Sequence, residues 1–156
     1  MFPKLSLSII VSLSCLVAGC TISPATAGLT VRTTAYTHTE SDHQQYGRKT
    51  AAGTTLKFGH VRSAAADWSI FPLGTEFRIE GQPGTYVIED YGSALVGKRT
   101  IDLYKPSRKA MNSWGVRNVK IEIVKWGSLQ RSLDVLKPRT RYSHVRRMVE
   151  RIRQKL

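Results

Sequence analysis

At 156 residues the chain has room for one domain with flanking segments. It carries 24 Lys and Arg against 11 Asp and Glu, a formal charge of +13, so anionic surfaces are its expected partners. Its two cysteines are Cys15 and Cys20, which excludes a disulfide, a thiol nucleophile and a Cys-based zinc site for everything after residue 20.

Met1 to Lys4 supplies a short positive start, and Leu5 to Ala18 is an apolar run broken by serines and Cys15. That run is too short to span a bilayer comfortably, and residues 1–27 are predicted to be a secretory signal peptide. Two cleavage signals compete. Ala25-Thr26-Ala27 places small residues ahead of Gly28, whereas Leu16-Val17-Ala18-Gly19-Cys20 resembles a bacterial lipobox in which Cys20 would be lipidated. Both predict export to the periplasm or cell envelope, the second with a lipid anchor in the membrane.

Leu29 to Tyr36 is rich in β-formers and predicts a strand. Residues 37–57 are polar and punctuated by glycines, a long loop of the kind that binds ligands. Further strands are predicted over Glu76 to Glu80, Thr85 to Asp90, Thr100 to Tyr104 and Asn118 to Trp126, separated by proline and glycine turns. One helix is expected between Pro106 and Trp114, with Pro106 at its start and Gly115 at its stop. Short strands, turns and a single small helix predict a compact β-barrel over 28–127.

Residues 128–156 differ in character, with nine Lys and Arg against Asp134 and Glu150. Ser143 is placed to cap a helix in which Val145, Met148, Val149, Ile152 and Leu156 share a face crowded round by arginines. Two readings stay open for this basic tail: the apolar stripe packs on the domain, or the helix binds a membrane or the cell wall. For an exported protein such a charge favours anionic wall polymers or lipid head groups over nucleic acid.

Three aspartates stand out by context. Asp67 follows Ala64-Ala65-Ala66 and reads as a cap or turn-former, and Asp90 ends a strand before Tyr91-Gly92-Ser93. Asp102 sits inside Thr100-Ile101-Asp102-Leu103-Tyr104, where a period of two puts Asp102 and Tyr104 opposite Ile101 and Leu103. Aspartate is depleted in strands, so it needs a partner, a task or a solvent-facing position there. His38, His43 and His60, with Asp42, match no zinc spacing. Tyr36, Tyr46, Trp68, Tyr91 and Tyr104 are either core residues or flat faces for sugar rings.

Ala66-Asp67, Pro72-Leu73-Gly74-Thr75, Glu89-Asp90-Tyr91-Gly92, Ile101-Asp102-Leu103-Tyr104 and Trp114-Gly115-Val116-Arg117 follow one another in order. From about Thr34 to Trp126 the chain thereby resembles the three-aspartate (3D) domain family of bacterial wall enzymes, related to membrane-bound lytic transglycosylase A. The family usually has two glycines after its second aspartate with one residue between; here the pattern is Asp90-Tyr91-Gly92-Ser93. The resemblance implies a mainly β fold, a six-stranded double-psi β-barrel, here with one or two short helices and a C-terminal basic helix. It implies that Asp67, Asp90 and Asp102 converge in one groove, with Asp102 as catalytic acid/base and Thr75 and Tyr104 lining the same groove. The implied activity is cofactor-free cleavage of peptidoglycan glycan strands with formation of 1,6-anhydro ends. The alternative is an expansin-like module on the same barrel that binds or loosens glycan without cutting it.

Overall fold

The computed structural model describes residues 28–41 and 44–156. The predicted leader with Cys20, and Asp42 and His43, lie outside the described residues. Six strands follow in chain order: β1 (Leu29–Tyr36), β2 (Val61–Ala65), β3 (Glu76–Ile79), β4 (Thr85–Asp90), β5 (Thr100–Tyr104) and β6 (Arg117–Lys125). They close into a barrel in the order β1-β5-β2-β4-β3-β6. The pairs β1–β5 and β2–β4 are parallel and the other neighbours antiparallel. The fold is therefore a mainly β, closed six-stranded barrel.

Alternation explains which face each strand turns inward. Ile101 and Leu103 of β5 are fully buried in the main core with Phe77, Tyr86, Ile88 and Ile121, while Asp102 lies on the opposite face. Tyr104 shares that opposite face and is also buried, in a second cluster with Tyr36, Leu56, Ala65 and Leu95. The long loop after β1 supplies Leu56 to this cluster, so it is packed rather than idle. Within it a 3₁₀ turn at Gln44–Tyr46 and a bridge between Lys49 and Thr55 fix the path.

Among the described residues three α-helices accompany the barrel: α1 (Arg108–Trp114), α2 (Leu129–Leu136) and α3 (Ser143–Arg153). The predicted start of α1 at Pro106 moves to Ser107, whose hydroxyl accepts from Ala110 N at 3.2 Å and so caps the helix. Gly115, at φ 61°, ends it in a conformation that disfavours side chains. The short helix α2 is not predicted by the sequence reading. Ser128 caps it by accepting from Arg131 N at 3.1 Å, and Leu133 and Leu136 bury one side. Tyr142 rather than Ser143 stands at the N-cap of α3, and no side chain caps it.

The structure takes the packing alternative for the tail's apolar stripe. Val145, Met148, Val149 and Ile152 belong to the same buried cluster as the barrel interior. Each such side chain contributes about 1.5–3 kcal/mol on leaving water. Leu156, predicted on that face, is 65% exposed instead. None of the helices formed by the described residues is long and apolar enough to cross a membrane.

Candidate functional site

Strand register builds the site. Ala65 of β2 pairs with Asp102 of β5 on one side and with Asp90 of β4 on the other. Two aspartates thus flank one small residue on three adjacent strands, their Cα atoms about 10 Å apart at two strand spacings. The methyl of Ala65 leaves a groove between them, with a cavity volume of about 340 Å³. Besides Asp90 and Asp102, Arg32, Thr34, Tyr36, Glu40, Tyr91 and Lys98 line it.

The two carboxylates are held differently. Asp90 is buried, and it accepts from Ala51 N at 3.1 Å, Tyr91 N at 2.9 Å and the Tyr36 hydroxyl at 3.4 Å. Asp102 is half-buried and accepts from the Thr34 hydroxyl at 2.6 Å, Thr34 being its register partner on β1. Burial, then the charges of Asp90 and Asp102, push the Tyr36 hydroxyl well above its ordinary range. Tyr36 therefore stays a donor toward Asp90.

Asp67 is not among the residues that line the groove. Its side chain is fully buried behind the groove wall. It accepts from Ser69 N at 2.8 Å and Gly97 N at 2.6 Å, and pairs with Arg151 of α3 at 3.3 Å. The cap-or-turn reading describes its Ser69 contact; the other two partners come from remote segments. Thr75 is likewise buried outside the groove lining, donating to Pro72 O at 2.7 Å and accepting from Gly127 N at 3.0 Å. It fastens the start of the tail to the Pro72–Thr75 turn. Tyr104 lies beneath the site rather than in its lining, and its hydroxyl bonds His38 Nδ1 at 2.9 Å.

Sequence reasoning passed over several residues here. Glu89 is buried next to Asp90 and is held by Lys57 and the Ser63 hydroxyl, each at 2.5 Å. Arg32, Thr34, Glu40 and Lys98 line the groove without belonging to any quoted motif. Only alternation from Tyr36 back through Thr34 to Arg32 could have flagged the β1 pair. Of the aromatics, Trp68 is fully buried and donates to Asp90 O at 2.8 Å, while half-exposed Tyr91 rests edge-on against it. Among the described residues no group of three or more His, Asp or Glu is arranged to hold a metal ion.

Fold and site together define a small closed β-barrel with an acidic groove on the face opposite its main core. Residues 62–125 match the family model for the 3D domain. The chain is also similar to the cell wall-binding protein YocH of Bacillus subtilis strain 168, at 33% identity over 101 residues. The match covers 64% of this chain and 33% of that protein, so the chain spans about a third of the relative's length.

Proposed function

We propose that the barrel is an exported peptidoglycan lytic transglycosylase in which Asp102 is the single acid/base. The observation that carries the reading is the placement of Asp102 and Asp90 across Ala65 in one groove. Cleavage of a glycosidic bond needs a proton at the leaving oxygen as positive character grows on the sugar. Three donors already take up the oxygens of Asp90. The proposal puts the transferable proton on Asp102, the less buried of the two carboxylates that line the groove. In the proposed reaction the Asp102 carboxyl gives its proton to the bridging oxygen as the bond from that oxygen to the anomeric carbon breaks. The resulting carboxylate then takes the proton of the sugar's own C6 hydroxyl while that oxygen bonds to the anomeric carbon. A 1,6-anhydro end forms, Asp102 is again protonated, and no cofactor or water is consumed. Thr34, donating to Asp102, fixes the carboxyl's orientation through both steps.

The 3D domain and a relative named for cell-wall binding support the choice of substrate. The same relative favours a second reading, a module that binds or loosens wall glycan without cutting it, because its name records binding alone. Product analysis separates the two. The enzyme releases anhydro-ended fragments from purified peptidoglycan, and Asp102→Asn lowers that rate by about a thousandfold, within the range for a lost general acid/base. Binding of strands without any new ends would instead select the second reading.

A further inference from the structure

The groove is charged asymmetrically along its length. On β1 the residues facing it alternate, Arg32, Thr34 and Tyr36, and on β5 the corresponding partners are Thr100, Asp102 and Tyr104. Because the two strands are parallel, Arg32 lies about 7 Å from the Thr34–Asp102 pair toward the strand starts. Lys98 enters the groove from the same side, two residues before Thr100. Tyr36 and Glu40 mark the other end. Arg32 and Lys98 are both exposed, and neither is in an ion pair formed by the described residues. By contrast, Glu40 is tied back to Thr37 N at 3.1 Å. Two uncommitted cations beside an acid/base, on one side of it only, form a receptor for an anionic group on the neighbouring sugar.

We infer that Arg32 and Lys98 form a carboxylate subsite that selects glycan strands carrying a carboxylate on the sugar next to the scissile bond. This rests on reading the groove as a glycan site. In wall glycan such a carboxylate has two sources, the lactyl group of a sugar stripped of peptide or the acidic groups of an attached peptide. The pair also sets the direction in which a strand lies, since only one end of the groove can take the anion.

The test is equilibrium binding to the full chain carrying Asp102→Asn, so that strands stay intact. Three probes are used: a neutral chitooligosaccharide, a peptide-stripped wall strand and a peptide-bearing strand. The expected result is about tenfold tighter binding of one or both carboxylate strands than of the chitooligosaccharide, equivalent to ~1.4 kcal/mol. The stripped strand leading points to the lactyl group, and the peptide-bearing strand leading points to the stem. Adding Arg32→Gln and Lys98→Gln should reduce the preference to within about twofold, and raising salt should erode it in the parent. Both positions are exposed, so unfolding curves of the variants serve as a control on the fold. Equal binding of neutral and carboxylate strands, or a preference untouched by the double change, overturns the subsite alone. Failure to bind any of the three probes overturns the glycan reading together with it.

Discussion

Asp67 gathers donors from three separate segments, Ser69, Gly97 and Arg151, and its side chain is wholly enclosed. Gly97 sits at φ +85°, and a Cβ there would meet the Arg151 guanidinium at 3.0 Å, so the loop and α3 are fitted to each other. Removing Arg151 would leave a buried carboxylate with backbone donors only. Because the arginine itself is 43% exposed, Arg151→Ala should cost about 1–3 kcal/mol, below the 3–5 typical of fully buried pairs. Gly97 precedes Lys98 in the groove wall, so glycan affinity should fall too, and Arg151→Lys should restore part of both losses. Urea unfolding beside a binding titration checks this; a variant as stable as the parent would show that the clamp is idle. Lys105 makes a second case. Its amine lies 4.4 Å from the Trp114 ring centre, and burial, with the charges of Arg62 and Arg117, lowers its pKa to about 8. An unfolded lysine titrates near 10.4. Between those values the unfolded chain binds more protons, so this group makes the fold more stable as pH rises from about 8 toward 10.4. Lysine titrations followed by NMR should find one midpoint about two units below the rest, and Lys105→Met should shrink the rise in stability over that window.

Helices α2 and α3 complete the barrel rather than hang from it. Ser132 accepts from Leu73 N at 2.9 Å, Ser128 N donates to Leu73 O at 3.1 Å, and Lys155 reaches Ser69 O. Met148 is fully buried, and Met148→Ala should cost about 2–5 kcal/mol through lost burial and the cavity left behind. A single unfolding transition, seen alike by Trp fluorescence and far-UV circular dichroism, should shift as a whole. Separate transitions would mean that tail and barrel are independent. Gly127 is the joint: any Cβ there would strike the carbonyls of Pro72 and Leu73, so Gly127→Ala should cost about 1–3 kcal/mol as overpacking. Much of the element layout was legible because alternation survives in the sequence, and β1, β4 and β5 have the predicted bounds. Strand β2, VRSAA, gave no such signal. Its last three residues are all buried, as a strand held between β4 and β5 requires, so nothing alternates. In α2 eight residues with an arginine and an aspartate were too few to display a helical period. Asp90 and Asp102 could be singled out from ordered motifs, but the position of Asp67 could not. Its deciding partners lie 30 and 84 residues away, and only tertiary packing brings them close.

Over the whole molecule the charge divides into a local and a diffuse part. The groove holds acidic and basic groups together, whereas residues 128–156 carry a surplus of basic side chains. Since α2 and α3 turn their apolar residues toward the barrel, Arg131, Arg147 and Arg153 are left exposed. Exposed like charges at this density attract a polyanion without reading its sequence of sugars, and that attraction is screened over about 8 Å at physiological salt. Adsorption to cell-wall sacculi that retain anionic secondary polymers should therefore fall steeply between about 50 and 500 mM salt, where the screening length drops severalfold. Sacculi stripped of those polymers should bind more weakly at low salt and show a shallower dependence. Replacing Arg131, Arg147 and Arg153 with Gln should reproduce the stripped-wall behaviour on untreated walls while anhydro-end release from soluble strands continues. A triple variant that adsorbs like the parent at every salt concentration would move the diffuse attraction off the tail. The barrel's own basic residues, Arg32 and Lys98 among them, would then be its source.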